Sequence, residues 1–68
     1  MSEQAVQEIP VPVGAYLVAV GEQGGSPGRP LGWAWEWKAA EEMARHYGFE
    51  ATIWQQEDGR WQEVPWVF

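Results

Sequence analysis

The sequence predicts one small α+β domain, in which a small antiparallel β-sheet of three or four strands packs against a single α-helix. Three observations predict this fold. The chain has 68 residues, which is enough for one domain only. A single segment has helical periodicity. Near the C-terminus, a two-residue turn signal separates two alternating segments, which is typical of a β-hairpin.

The N-terminal segment shows no regular periodicity. Residues 1–8 are polar overall, and we expect them to form a flexible tail that precedes a single domain over residues 9–68. Residues 9–13 alternate proline with β-branched side chains. They predict an extended or edge segment, because proline cannot donate a hydrogen bond to a sheet.

The first strand is predicted at residues 14–20. Apolar side chains occupy both alternating sets along this segment, so we expect a central strand that is covered on both faces. Residues 21–32 are rich in glycine and proline and predict a long loop. This loop does not predict phosphate binding, because it lacks the lysine that a phosphate-binding loop places before its helix.

The only predicted helix covers residues 33–47. Its spacing is typical of one apolar helical stripe, made by Trp33, Trp37, Ala40, Ala44 and Tyr47. Glu41 and Arg45 are spaced for an ion pair, and Gly48 is suited to end the helix.

The start of this helix has an alternative. Trp33, Trp35 and Trp37 also alternate with Ala34 and Glu36, which is the periodicity of a strand. This alternation predicts a short strand at residues 31–35 followed by a helix from about residue 36.

Residues 49–68 predict a β-hairpin whose turn is Asp58-Gly59. Counting outward from that turn predicts a core face with the cross-strand pairs Ile53–Val64, Ala51–Trp66 and Phe49–Phe68. The opposite face carries Thr52, Trp54, Gln56, Trp61, Glu63 and Pro65.

The residue types exclude most catalytic and metal chemistry. The chain has no cysteine and one histidine, His46, so nothing predicts a nucleophile with its base, and thiolate metal sites are absent. Glu42 and His46 share a helical spacing, but two ligands do not make a metal site. Adjacent carboxylates such as Glu41-Glu42 diverge on a helix and do not form an acid–base pair. We expect no enzymatic activity, no metal and no cofactor.

The charge predicts the class of partner. Ten acidic residues against four basic ones give a net charge of -6. This surplus argues against direct binding to nucleic acid or to an anionic membrane, and it favours a basic protein partner. The sequence also shows no membrane-spanning segment and no signal-peptide pattern, so a cytoplasmic location is expected.

The six tryptophans suggest a contact surface. Tryptophan is enriched at binding hot spots, and Trp54 and Trp61 are predicted near-diagonal neighbours on the second hairpin face. Glu57, Asp58 and Glu63 lie close to them in the predicted hairpin. Either these indoles form an exposed patch, or the N-terminal segment with Ile9 and Val11 covers them; the pattern favours neither.

In size and charge the chain resembles small phage-encoded antagonists, such as anti-CRISPR proteins and other DNA mimics. These proteins are commonly short, acidic, free of cysteine and non-enzymatic. The resemblance implies that acidic side chains cover a basic nucleic-acid-binding surface; the residues available for this are Glu36, Glu41, Glu42, Glu50, Glu57, Asp58 and Glu63. The chain departs from the pattern where Lys38, Arg45 and Arg60 interrupt the acidic faces.

The sequence therefore predicts a protein-binding module that inhibits a basic, nucleic-acid-handling partner, as a monomer or weak homodimer. The predicted partner-binding residues are Glu41, Glu42, Glu57, Asp58, Glu63, Trp54 and Trp61. Two alternatives remain: a small-molecule or carbohydrate-binding domain that uses Trp54 and Trp61, and a self-associating structural protein.

Overall fold

A computed structural model describes residues 11–68 of the chain. It contains a four-stranded antiparallel sheet and one helix, which confirms the predicted α+β fold. The predicted tail at residues 1–8, together with Ile9 and Pro10, lies outside the described residues. The elements in chain order are β1 (Tyr16–Gln23), β2 (Ser26–Ala34), α1 (Trp37–Tyr47), β3 (Ala51–Glu57) and β4 (Arg60–Val64).

Strand β1 lies inside the sheet, whose order is β2-β1-β3-β4. Its side chains alternate between the two faces, and Leu17, Val18 and Ala19 are fully buried. This confirms the prediction of a central strand covered on both sides. The predicted extended or edge segment over residues 9–13 lies partly outside the described residues. In its described part Val11 and Pro12 belong to no strand, and Ala15 N–H donates to the Pro12 carbonyl at 3.0 Å, closing a turn through Val13 and Gly14.

The predicted loop over residues 21–32 is wrong, because most of this segment belongs to a hairpin. Strand β1 continues to Gln23, and β2 begins at Ser26 after a two-residue turn. The turn residues Gly24 and Gly25 have φ values of 57° and 84°. Positive φ at both positions is the geometry of a tight hairpin turn that glycine adopts without strain. A Gly-Gly pair is thus the turn signal of this hairpin.

Two prolines fit within β2 because β2 is an edge strand. Pro27 and Pro30 pair with Glu22 and Ala19 in register. The register shifts between Val18 and Ala19, where the ladder is irregular. Proline on an edge strand does not interrupt the interior ladder, which explains how a segment with loop-like composition forms a strand.

The helix begins at Trp37, so the prediction of a helix from Trp33 is wrong and the alternative with a preceding strand is confirmed. Glu36 is the N-cap, with an extended backbone and no side-chain capping bond. At the other end, Gly48 N–H donates to the Ala44 carbonyl at 2.9 Å, as expected for a C-terminal glycine. The predicted ion pair forms, with 3.3 Å between Arg45 Nη2 and Glu41 Oε2.

The C-terminal hairpin has the predicted register near its turn. Glu57 pairs with Arg60, and Ile53 pairs with Val64. The predicted extension of this ladder is wrong, because β4 ends at Val64, and Phe49 and Phe68 are exposed. The chain beyond Val64 is held differently, since Trp66 Nε1–H donates to the Ala51 carbonyl at 2.8 Å.

Two apolar clusters lie on opposite faces of the sheet. On the helix face, the buried side chains are Val18, Ala40, Ala44, Ala51 and Ile53. Small residues allow the helix to approach the strands closely, and a Cβ at Gly32 would lie 3.1 Å from Met43 Sδ. On the opposite face, the buried side chains are Val11, Ala15, Leu17, Ala19 and Trp54.

The sheet is strongly curled. Its two edge strands, β2 and β4, contact one another although β1 and β3 lie between them in the ladder. Because the helix occupies one face, we infer that the sheet closes over the other. This curvature, together with the packing of Val11 and Ala15, accounts for the complete burial of Leu17 and near-complete burial of Trp54 on a face without a helix.

Trp54 is fixed by a hydrogen-bond relay. Its Nε1–H donates to Thr52 Oγ1 at 2.8 Å, and the Thr52 hydroxyl lies 2.9 Å from the Gly21 carbonyl, to which it donates. The Ala19 carbonyl is a second acceptor within reach, at 3.2 Å. The buried indole therefore has a partner for its one polar atom, and that partner is tied to β1.

Thr52→Val is expected to lower the free energy of unfolding by about 1–3 kcal/mol, because the Trp54 N–H would lose its acceptor at nearly constant side-chain shape. Thr52→Ser, which keeps the hydroxyl, should lose clearly less. Urea unfolding followed by tryptophan fluorescence measures both. Equal stability of the valine and wild-type proteins would contradict the relay.

Gly28→Ala is expected to destabilise the protein by about 1–3 kcal/mol, because the added Cβ would overlap the Val20 carbonyl oxygen. Ser26→Ala, an exposed position on the same strand, is the matched control and should be near neutral. Chemical denaturation of the two variants tests whether residues 26–34 form a strand. If Gly28→Ala left the free energy of unfolding unchanged, residues 26–34 would form a loop, as their glycine and proline content indicates.

Candidate functional site

The face of the sheet opposite the helix carries Trp33, Trp54 and Trp61, and we call it the tryptophan face. Trp33 on β2 and Trp54 on β3 both pair with Leu17, so they lie in one row across the sheet. Trp61 pairs with Gln56 and packs against the buried cluster on this face. These three tryptophans differ strongly in burial, and their burial decides which of them can contact a partner.

Trp54 cannot act as a direct contact in this structure. Only 2% of its surface is exposed, because it packs with Val11, Leu17 and Ala19. Of the two alternatives that the sequence left open, an exposed patch or indoles covered by the N-terminal segment, the second is therefore correct for Trp54. Val11 belongs to the cluster that covers it. Trp61 is half-buried against the same cluster.

The exposed aromatic pair lies instead at the edge strand. Trp33 is 40% exposed and Trp35, just beyond β2, is 59% exposed. Their ring centroids are 5.5 Å apart with an interplanar angle of 87°, an edge-to-face contact. We call these two residues the indole pair. The sequence did not predict them as contact residues, although the strand-like alternation of Trp33 and Trp35 places both on one face.

The tryptophans differ in whether their indole N–H groups donate hydrogen bonds within the protein. Within the part of the chain that the structure describes, Trp54 and Trp66 donate their indole N–H groups to protein acceptors. Across these same residues, neither Trp33 nor Trp35 makes such a bond. Within residues 11–68, the indole N–H groups of this pair therefore have no protein acceptor.

The predicted acidic residues do not form one cluster. Glu41 and Glu42 lie on the helix, and Glu41 pairs with Arg45. Glu57 and Asp58 lie at the hairpin turn, where Asp58 has a φ of 53° and Glu57 pairs in register with Arg60.

Only Glu63 joins the predicted aromatic residues. It pairs with Trp54 in register, so it stands in the same row of the tryptophan face as Trp33. Its strand, β4, contacts β2, which carries Trp33. Glu36 follows Trp35 directly and is exposed. The carboxylates that accompany the indole pair are therefore Glu63 and Glu36, of which the sequence selected the first as a contact residue.

A second exposed apolar cluster lies at the opposite end of the sheet. The Trp66 and Phe68 rings are in edge-to-face contact at 6.0 Å, and Arg45 Nη1 donates to the Phe68 carbonyl. Phe49 and Val67 are also strongly exposed. The prediction of a monomer or weak homodimer stays a prediction.

Residues 11–68 contain no group of three or more histidine, cysteine, aspartate or glutamate side chains that could hold a metal ion. The helix of this part of the chain is not long and apolar enough to cross a membrane. Comparison with protein-family models, curated proteins and solved structures finds no match to this chain.

The different burial of the tryptophans predicts different responses to substitution. Trp35→Ala should leave the free energy of unfolding nearly unchanged and lower the fraction of the fluorescence that acrylamide quenches readily, because Trp35 is the most exposed of the described tryptophans. Trp54→Ala should cost about 3–5 kcal/mol, because it leaves a cavity in the buried cluster. Denaturant unfolding and acrylamide quenching measure both effects, and a strongly quenched Trp54 would contradict its burial.

Proposed function

We propose that this chain is a non-enzymatic protein-binding module that acts against a basic, nucleic-acid-handling partner, in the manner of a DNA-mimic inhibitor. The observation that carries the proposal is the indole pair, which an ordered sheet presents on the surface of a chain with a net charge of -6. Exposed tryptophans are common hot spots in protein interfaces. The acidic surplus gives complementarity to a basic surface and steers its approach.

The positions of the carboxylates support an interface made by one end of the sheet. Glu36 and the Glu57-Asp58 turn lie toward the end of the sheet at which Tyr16 pairs with Ala34 and Gln55. Glu63 lies on the tryptophan face between this end and the middle of the sheet. A basic partner that contacts the indole pair would therefore meet acidic side chains on both sides of it.

Binding of a small molecule or carbohydrate is the second candidate function. The perpendicular, exposed rings of Trp33 and Trp35 favour it, because flat aromatic faces also serve as platforms for small ligands. The indole pair replaces Trp54 and Trp61 as the residues for such a site, since Trp54 is buried.

Reversing two acidic charges at the end of the sheet that carries the indole pair is expected to weaken the association more than about tenfold, because like charges would then face each other. The variant is Glu57→Lys with Glu63→Lys. Asp58 is left unchanged, since its φ of 53° in the turn disfavours lysine. The matched control, Glu22→Lys with Glu50→Lys, makes the same change in net charge at the opposite end of the sheet and should retain binding.

The measurement is capture of partners from a lysate on the immobilised protein, with elution by salt and by added duplex DNA. The proposal expects a basic nucleic-acid-binding protein that both treatments release, because screening weakens such contacts and DNA competes for the same surface. A partner that resists both treatments, or that the charge-reversed variant captures equally well, would overturn it. Small-molecule binding would then be the better explanation of the indole pair.

A further inference from the structure

We propose that the indole pair is a recognition site for an arginine side chain of the basic partner. This inference rests on the proposed function and specifies its chemistry. It concerns the shape of the cation rather than charge alone, since lysine and arginine carry the same charge but differ in geometry and hydration.

The ring geometry selects a planar cation. Trp33 and Trp35 meet at 87°, so they form two walls of a corner. A guanidinium that stacks flat on one indole directs the N–H groups at its edge toward the face of the other. It thus makes a cation–π contact with the first ring and an N–H···π contact with the second. An ammonium group is compact and strongly hydrated, and it has no flat face with which to stack.

The surroundings provide the charge that such a cation needs. Glu36 directly follows Trp35, is exposed, and makes no side-chain capping bond to the helix. Glu63 lies on the same face as Trp33, on the strand that contacts β2. The basic side chain nearest to Trp35 in sequence is that of Lys38, in the first turn of the helix. A carboxylate beside a stacked guanidinium accepts its remaining N–H groups, which is the common arrangement at arginine sites.

The position of the pair favours contact with a protruding side chain. Trp33 lies on an edge strand, and Trp35 is the more exposed of the two rings. Pro27 and Pro30 lie on the same edge strand, where they reduce its capacity to pair with a further strand. Recognition at this edge therefore depends on side chains, and the backbone contributes less.

The test uses two defined probes: a peptide of alternating glycine and arginine, and a peptide of the same length with lysine in place of arginine. Binding to the full chain is measured by calorimetry at low and moderate salt. The arginine peptide is expected to bind about two- to fivefold more tightly, which corresponds to the usual strength of exposed cation–π contacts. Added salt should weaken both peptides while the preference for arginine remains.

The variants locate the preference. Trp35→Ala should remove it, and Trp33→Leu provides a second variant in case the first loses its fold, which circular dichroism checks. Phe49→Ala, which removes an exposed aromatic ring elsewhere, should retain it.

Each contrary outcome has its own meaning. Equal affinity for both peptides overturns the arginine site and leaves the basic-partner proposal standing. An arginine preference that survives both tryptophan substitutions also overturns the assignment to this pair. Binding of neither peptide contradicts the proposed function itself.

Discussion

The pairing of β1 with β3 is the constraint on which the remaining structure depends. Along this seam, Leu17 is opposite Trp54 and Val18 is opposite Ile53, so successive residue pairs face opposite sides of the sheet. One pair belongs to the cluster under the helix, and the other belongs to the cluster on the tryptophan face. Two thin cores are thus built from a single strand pair, which is how a chain of this size buries enough apolar surface without disulfides.

Sequence patterns predicted the individual elements of the core better than they predicted the surface, although the pairing of β1 with β3 itself was not predicted. The two-sided apolar run of β1, the hairpin turn at Asp58 and the helical spacing of Ala40 and Ala44 all depend on local periodicity, and all are present. Most of β2 was missed, and only its C-terminal end matches the alternative strand at residues 31–35, because the glycine and proline content of the earlier part indicates a loop unless its position at the sheet edge is known. Whether a strand lies at the edge depends on the assembled sheet, so a local sequence pattern cannot predict it.

The candidate site was predicted less well for a related reason. Trp54 and Trp33 stand in the same row and have the same side chain, yet one is buried and the other is exposed. What distinguishes them is the number of strands beside them and the segment around Val11 that packs on the interior indole. Alternation in sequence identifies the face of a residue, whereas exposure depends on neighbours that are distant along the chain. In this protein, tryptophan therefore fills the core at Trp54 and is exposed on the surface at Trp33.

The strand order also affects how the chain reaches its structure. Strands β1 and β2 are joined by two residues, as are β3 and β4, so each hairpin closes locally at little entropic cost. The β1–β3 seam, in contrast, joins segments separated by all of β2 and α1. Contacts between distant segments slow folding, since the chain between them must be ordered before the contacts stabilise it. The helix that covers the seam is part of that intervening chain, so we expect the helix to pack in the same step in which the two hairpins dock.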